Sequence, residues 1–172
     1  IGDEILTGKR RDSHFPHLVE TLGKRGMTLA AVDYIGDDRE RLTSFLRASF
    51  ARSDILFSFG GIGATPDDHT RQAAAAALGI PLERHPEAVA SIEQQFGDAA
   101  YPNRVLMAEF PAGATIIPNP VNRVAAFSVG DHHFLPGFPQ MAWPMLDWVF
   151  ATRYPHLDVE KPVERALVVH DA

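Results

Sequence analysis

The sequence predicts an α/β domain in which a mostly parallel sheet is sandwiched by helices. Strand-like and helix-like segments alternate along the chain with short connections, an order typical of parallel sheets. The run Asp54 to Phe59 supports this reading, because four of its six residues are large and apolar with almost no polar alternation. We interpret this run as a central parallel strand, buried on both faces. Later strands around Gly130-Asp131 predict an antiparallel edge.

Each element is justified by its apolar spacing and by its end signals. Ile1 resembles the end of a strand, because Gly2-Asp3-Glu4 after it is turn chemistry, and we expect an upstream strand. We expect five helices: from Asp12 or Ser13 to Lys24, from a cap at Asp38 to Phe50, and over Arg71 to Leu78, Pro86 to Phe96 and Phe138 to Phe150. We also expect a strand from Thr28 to Ile35 and short strands over Thr115 to Ile117, Ala126 to Val129 and His133 to Leu135. We expect one domain over residues 1–150, followed over 151–172 by a linker and the strand-like run Ala166 to Val169.

Composition excludes several classes of protein. The chain has 172 residues with 45% hydrophobic and 22% charged residues, which argues against disorder and coiled coils. Its net charge of -6 argues against a nucleic-acid partner. It has no long apolar run and no signal-peptide pattern at its start, so we expect no membrane association and a cytoplasmic location. Because the chain has no cysteine, His, Asp and Glu must supply any metal ligands.

The loop Gly60 to Thr70, with the sequence GGIGATPDDHT, is the most informative stretch. It connects a predicted buried strand to a predicted helix. Its glycines allow backbone N–H groups to turn toward an anion, and the following helix adds its positive dipole end. The loop therefore predicts a phosphate site, although a tight turn closed by a helix-capping Asp68 is the simpler alternative. It is neither a dinucleotide-binding fingerprint nor a P-loop.

Two further polar loops are expected at the same edge of the sheet, where parallel strands deliver their carboxyl ends. Residues 2–13 offer arginines that suit phosphate and carboxylates that suit divalent ions, with a solvated charged turn as the alternative. The second loop is the Pro118 to Asn122 turn, which includes Asn119.

Four ordered motifs together resemble the molybdopterin-binding domain family of the MoaB and Mog type. They are the opening Ile1 to Gly8, Arg11-Asp12-Ser13, Gly36-Asp37-Asp38 and the Gly60 loop. The Gly-Asp-Glu-Ile-Leu opening and the pair Asp67-Asp68 are similar to the competence/damage-inducible protein CinA branch. The resemblance covers roughly Ile1 to Phe150. It implies a three-layer α/β/α sandwich that binds a phosphate-bearing pterin, and a homo-oligomer, either a dimer or a trimer.

The resemblance also assigns residues to a site. Gly60, Gly61, Gly63 and Thr65 match the loop that cradles phosphate, and Asp68 matches a catalytic or metal-orienting aspartate. The other positions matched to the ligand site are Thr70, Asp12 and Ser13. Members similar to CinA are associated with metal-dependent cleavage of ADP-ribose or FAD-type pyrophosphates.

One wall of the site departs from the family pattern. Where the family usually has Gly-Thr-Ala-Pro-Gly, this chain reads Asn122-Arg123-Val124-Ala125-Ala126, and Ala64 replaces a frequent proline. This change puts pterin binding in doubt more than phosphate binding at the Gly60 loop, because the altered wall is the one expected to contact the pterin. Arg123 is a candidate to hold a phosphate instead.

Three functions stay open on the sequence. The first is a domain that binds a molybdopterin-like pterin or a nucleotide. The second is a nucleotide pyrophosphatase, in which Asp67 and Asp68 act catalytically and hold Mg²⁺, Mn²⁺ or Co²⁺ together with Asp12. The third is an oligomerisation module without catalysis. His69 is a weak candidate base, while His14 and His17 are more typical of a solvated helix face than of a metal site.

Overall fold

The computed structural model describes residues 1–157, and within them the chain alternates helices and strands. The helices are α1 (Asp3–Leu6), α2 (His14–Lys24), α3 (Arg39–Phe50), α4 (Thr70–Leu78), α5 (Pro86–Phe96) and α6 (Pro139–Arg153). The strands are β1 (Leu56–Phe59), β2 (Leu82–Arg84), β3 (Glu109–Pro111), β4 (Thr115–Ile117), β5 (Ala126–Val129) and β6 (His132–Leu135). Short 3-10 turns lie at Gly97–Ala100, Arg104–Ala108 and Pro155–Leu157. The predicted run Ala166 to Val169 lies outside the described residues.

The main sheet has the strand order β1-β6-β5-β4. β1 and β6 are parallel, with Leu56 opposite His132 and Phe59 opposite Leu135. β5 is antiparallel to both β4 and β6, and the β5–β6 connection is the tight hairpin that Gly130-Asp131 predicts. A separate two-stranded ribbon pairs β2 with β3, which the sequence analysis did not anticipate.

Side chains alternate across the sheet and form one hydrophobic core on each face. Phe127 and Phe134 point to the face covered by α3, α4 and α5, and their rings stack 4.6 Å apart. The next residue on β6, Leu135, points to the opposite face, where Leu22 of α2 and Leu146 of α6 pack against it. Because a strand presents alternate residues to opposite faces, this arrangement requires helices on both sides. The α/β/α sandwich with a mixed sheet is confirmed.

The predicted helix ends follow capping chemistry. Asp38 accepts a hydrogen bond of 3.0 Å from the Arg41 backbone nitrogen at the start of α3, as an N-cap residue should. Gly79 ends α4 in the left-handed conformation, with φ at 69°. The last helix continues three residues past the predicted end, to Arg153.

Two strand predictions need correction. The segment Thr28 to Ile35 forms no strand pairing in the structure. The run Asp54 to Phe59 does contain a parallel strand, β1, but β1 lies at the edge of the described sheet and its side chains are only partly buried. The unpaired segment and β1 line the same cleft.

The structure has no helix among residues 1–157 that is both long enough and apolar enough to cross a lipid bilayer.

Candidate functional site

The Gly60 loop begins where β1 ends and is fixed at both of its own ends. The Gly60 nitrogen donates to the Leu135 carbonyl at 2.9 Å, which extends the β1–β6 pairing by one residue. At the other end, the Thr70 nitrogen donates to the Gly61 carbonyl at 2.9 Å and the Thr70 hydroxyl donates to the Gly60 carbonyl at 3.0 Å. The loop therefore folds back on the first turn of α4.

This geometry corrects the role expected for Thr70. Its side chain is fully buried, its hydroxyl is used by Gly60, and the residue does not line the cleft. Gly61 has φ of +69°, and a Cβ on it would collide with the Thr70 hydroxyl. Thr70 thus shapes the loop from behind and does not face a ligand.

Asp68 closes the loop from within. Its Oδ2 atom accepts hydrogen bonds from the Thr65 backbone nitrogen at 2.9 Å and from the Thr65 hydroxyl at 2.5 Å. A Cβ on Gly63 would lie 2.5 Å from the same oxygen, so an alanine there would displace the Asp68 carboxylate. Both candidate carboxylates, Asp67 and Asp68, line the cleft.

Four consecutive backbone N–H groups of the loop, those of Gly61, Ile62, Gly63 and Ala64, donate to no acceptor within residues 1–157. These residues line the cleft and are partly exposed. Consecutive unpaired N–H groups in a turn are the feature that binds anions in backbone nests. They are the feature of the site that could hold an anion.

Arg71 supports the loop from the protein core, a role that sequence reasoning missed. Only 3% exposed, it donates to the Gly63 carbonyl at 2.6 Å, to the Glu109 carbonyl at 3.2 Å and to the Leu106 carbonyl. Burial lowers the pKa of Arg71, while the charges of Glu109 and Asp68 act in the opposite direction. The available signal was an arginine in the first turn of an alanine-rich helix that packs into the core.

Asp12 forms the wall contributed by the start of α2. It accepts hydrogen bonds from the backbone nitrogens of His14 at 2.9 Å and Phe15 at 3.1 Å, and from the Tyr34 hydroxyl at 2.9 Å. Burial alone would raise the pKa of Asp12, but these three hydrogen bonds outweigh it and the pKa is lowered. Asp12 is therefore a fixed carboxylate that caps α2. Ser13 lies beside it in the cleft lining and makes no capping hydrogen bond.

The histidines of α2 pack on aromatic rings, so the solvated helix face expected for them is wrong. The His14 ring stacks on Phe59 with centroids 4.4 Å apart, and its Nε2 atom lies 3.0 Å from the Gly137 carbonyl. His17 stacks on Trp143 at 4.0 Å. Burial lowers the pKa of His14. Both side chains attach α2 to the rest of the fold.

The third wall is the turn that carries Asn119. The Asn119 side chain donates to Asn122 Oδ1 at 2.7 Å and to the Val124 carbonyl at 3.1 Å, and it accepts from the Val121 nitrogen at 3.0 Å. Asn119 and Asn122 line the cleft, whereas Arg123 does not. Arg123 occupies the left-handed region with φ of 60°. The expectation that Arg123 holds a phosphate is therefore not supported by its position.

The three loops meet in one cleft of about 1230 Å³. Most predicted site residues are brought together in its lining: Asp12, Ser13, Gly60, Gly61, Gly63, Thr65, Asp67, Asp68 and Asn119. Arg10 and Arg11 add positive charge. Residues 1–157 contain no group of three His, Asp or Glu side chains placed to hold an ion, and the metal set of Asp12, Asp67 and Asp68 stays a prediction. Asp12 caps α2 and Asp68 bonds to Thr65, so the carboxylates do not converge.

Known proteins resemble this chain in sequence over most of its length. Residues 1–156 match the family model described as a probable molybdopterin binding domain. A CinA-like protein of Anaeromyxobacter sp. (strain Fw109-5) is 39% identical over 131 residues, which cover 74% of this chain and 32% of the relative. A CinA-like protein of Citrifermentans bemidjiense is 36% identical over 154 residues, covering 86% of this chain and 37% of the relative. The chain spans about a third of the length of these curated relatives.

Solved structures give the same result for the fold. The protein CinA of unknown function from Thermoplasma acidophilum has a TM-score of 0.78 and 28% identity, covering 87% of this chain and 93% of that one. The molybdopterin biosynthesis enzyme MoaB of Thermus thermophilus has a TM-score of 0.54 and 21% identity, covering 91% and 89%, and supports the fold alone. Since the family model spans the described fold and the glycine loop, the chain belongs to the molybdopterin-binding domain family and is similar to its CinA-like members.

Proposed function

We propose that this domain binds a phosphate-bearing pterin or nucleotide, with the phosphate on the N–H groups of Gly61 to Ala64. The observation that carries the proposal is the set of four consecutive N–H groups without an acceptor in the described structure, facing a cleft. The names of the matched family and of the MoaB neighbour support a molybdopterin-like ligand.

The loop has positive charge near it in the cleft and negative charge at its own rim. Arg10 and Arg11 line the cleft, and the first turn of α4 adds its dipole behind the loop. Asp67 and Asp68 place negative charge at the rim, which disfavours a bare polyanion. We therefore expect the loop to favour one phosphate group attached to a larger neutral body over inorganic polyphosphate.

A ring system has an apolar wall available beside the loop. Phe59, Ile62 and Phe138 line the cleft, and Tyr34 contributes an exposed ring across from them. Ligand sites are generally apolar surfaces with a few placed polar groups, which this arrangement matches. Pterin and adenine rings are both flat and stack on such surfaces.

Hydrolysis is the alternative, and the described residues do not favour it. Among residues 1–157, Asp12, Asp67 and Asp68 do not form a three-carboxylate group that could hold a divalent ion without the ligand. The function that we propose is therefore ligand binding without turnover.

The test is calorimetric titration of the purified protein with ADP-ribose, FAD and a phosphorylated pterin, each in EDTA and in Mg²⁺. We expect binding of at least one ligand in EDTA, and loss of that binding in Gly63→Ala, whose new methyl group would press on Asp68. Gly113→Ala is the matched control, because nothing lies within 4 Å of its added Cβ. Equal binding by both variants, or turnover that appears with Mg²⁺, would contradict the proposal.

The dimer or trimer expected from the resemblance stays a prediction. Light scattering of the same sample tests it. The oligomerisation-only alternative requires an oligomer together with no response to any of the three ligands.

A further inference from the structure

Phe138 is an exposed aromatic residue carried by a fixed turn beside the Gly60 loop. Its side chain lines the cleft, and the residue is 49% exposed. Because Pro139 follows it, Phe138 is restricted to extended backbone, and it shows φ of -95° and ψ of 116°. Its carbonyl accepts a hydrogen bond of 2.9 Å from the Ala142 nitrogen at the start of α6. The backbone that carries this ring is therefore fixed before any ligand binds.

The turn that carries Phe138 packs directly on the Gly60 loop. β1 and β6 are parallel neighbours, so the residues that follow each strand emerge at the same edge of the sheet. A Cβ on Gly137 would lie 3.4 Å from the Cα atom of Gly60. The Gly137 carbonyl also lies 3.0 Å from the Nε2 atom of His14, which fixes the turn to α2. Phe138 is thus one residue away from a direct contact with the loop that we assign to phosphate.

The guanidinium of Arg10 lies over the Phe138 ring, with its central carbon 5.9 Å from the ring centroid. Arg10 lines the cleft and is exposed. Within residues 1–157, no carboxylate forms an ion pair with it. Its backbone nitrogen donates to the Glu4 carbonyl at 2.9 Å, which holds the start of this side chain in place. A planar cation therefore faces an exposed aromatic ring inside the cleft.

The distance between these two groups suits one further flat layer between them. Flat groups in direct contact stack about 3.5–4 Å apart, so a ring inserted between two others needs them about 7 Å apart. The observed 5.9 Å is too long for direct contact between Arg10 and Phe138, and it is about 1 Å short of the distance that an inserted ring needs. Rotation about the bonds of the exposed Arg10 side chain supplies a movement of that size without disturbing the core.

We propose that Phe138 and Arg10 hold a flat aromatic heterocycle of the ligand between them, and we call this pair the clamp. One face of the heterocycle stacks on the Phe138 ring, and the Arg10 guanidinium covers the other face. Aromatic side chains and arginine planes are the groups on which proteins commonly stack nucleobases. The inference rests on the proposed function, because the phosphate of the same ligand lies on the N–H groups of Gly61 to Ala64.

The clamp defines the class of ligand more narrowly than the phosphate loop does. The loop N–H groups accept any phosphate ester, including a sugar phosphate that has no aromatic ring. The clamp selects esters that also carry a flat heterocycle, as nucleotides and phosphorylated pterins do. It also uses the planar shape of the Arg10 guanidinium in addition to its charge. A lysine at this position keeps the charge but has no plane to cover a ring.

The experiment compares AMP with ribose 5-phosphate, which share the sugar phosphate and differ by the base, and adds a phosphorylated pterin. Dissociation constants are measured by amide NMR titration in EDTA. We expect AMP or the pterin to bind about tenfold or more tightly than ribose 5-phosphate. Phe138→Leu should remove most of this advantage, and Arg10→Lys should reduce it about threefold or more, while both variants bind ribose 5-phosphate as the chain does. Trp148→Leu is the matched control, because Trp148 is 36% exposed and lies outside the cleft.

The outcomes separate the clamp from the proposed function. Equal binding of AMP and the pterin by the chain and by Phe138→Leu would overturn the clamp, and so would a Phe138→Leu variant that loses all three ligands alike. If the amide signals of Gly61 to Ala64 shift with every ligand while Phe138→Leu has no effect, the clamp is wrong and the proposed function stands. If Phe138→Leu weakens binding that leaves those signals unmoved, the phosphate assignment is wrong and the ring contact stands. Binding of none of the three ligands would contradict both.

Discussion

The guanidinium of Arg71 donates a hydrogen bond of 2.6 Å to the carbonyl oxygen of Gly63 from inside the protein core. The same group reaches the carbonyls of Leu106 and Glu109. One buried cation therefore fixes the glycine loop to the turn that precedes β3. Since the Gly63 carbonyl is held inward, the neighbouring N–H groups of the loop are free to face the cleft.

Replacing Arg71 by Met should destabilise the fold by about 2–4 kcal/mol, because three partly buried carbonyl oxygens would lose their donor. Urea denaturation measures this change. Arg84→Met is the matched control, since Arg84 is about half exposed and its ion pair with Glu109 spans 3.2 Å; it should cost less than about 1 kcal/mol. Similar losses in the two variants would show that the Arg71 contacts are not structural.

Substitutions of Asp68 distinguish shaping of the loop from chemistry. Asp68→Asn keeps a carbonyl oxygen for Thr65, whereas Asp68→Ala removes the acceptor altogether. We expect Asn to weaken ligand binding only a few-fold and Ala to weaken it by about tenfold or more, at roughly 1 kcal/mol per hydrogen bond. Calorimetric affinities test this order. Complete loss in Asp68→Asn would indicate that the charge of Asp68 is essential.

Two glycines with positive φ should respond differently to alanine. Gly61 and Gly113 have φ of +69° and +78°, and an alanine at either position pays roughly 1–2 kcal/mol for the left-handed backbone. At Gly61 the added methyl group also collides with Thr70, so that variant should lose clearly more stability than Gly113→Ala. Thermal unfolding of the pair checks this. Equal losses would mean that the loop can move away from Thr70.

The stability of the domain should fall as the pH falls from about 6.5 to about 4, partly through His133. Its ring is fully buried and contacts Ser128 at 2.8 Å and the Tyr154 hydroxyl at 2.6 Å, while Tyr154 donates to Asp131. Burial, then the charge of Arg153, lowers the pKa of His133 to about 4. The unfolded chain binds a proton at His133 near pH 6.5, whereas the folded chain binds it only near pH 4. The contribution of His133 to the free energy of unfolding is therefore full above pH 6.5 and is lost as the pH falls toward 4.

The expected size of the His133 contribution is about 3 kcal/mol across this range. Denaturation at a series of pH values measures it as the difference between the chain and His133→Gln, because burial also lowers the pKa of His14 and His132. The variant should show a flatter dependence of stability on pH. Parallel curves for the chain and His133→Gln would contradict this account.

The sequence predicted most helices and short strands because their signals are local. Asp38 caps α3 and Gly79 ends α4 as their residue types indicate. The prediction of a strand over Thr28 to Ile35 was wrong. An apolar pattern favours a strand, but it does not show whether another strand lies beside it. The ribbon of β2 and β3 was missed because their sequences, Leu-Glu-Arg and Glu-Phe-Pro, contain no β-branched residue, unlike the Thr-Ile-Ile of β4.

The site was predicted in its loops but not in its side-chain roles. The spacing of the glycines predicted that the Gly60 loop lines the cleft, because glycine is the residue type that allows such a turn. The roles of Thr70 and Asp68 depend on which way each side chain turns, and here both turn toward their own loop. The partners of Arg71 could not be read from the sequence, because its three acceptors are backbone carbonyls, which every residue carries.

The most direct test of the proposed function is the backbone amide NMR spectrum of the protein titrated with ADP-ribose in EDTA, with a phosphorylated pterin as a second probe. The account predicts that the amide signals of Gly61, Ile62, Gly63 and Ala64 shift first and furthest, and that Gly63→Ala abolishes the shifts while Gly113→Ala preserves them. Saturable binding of both probes that leaves these four signals unmoved would contradict it.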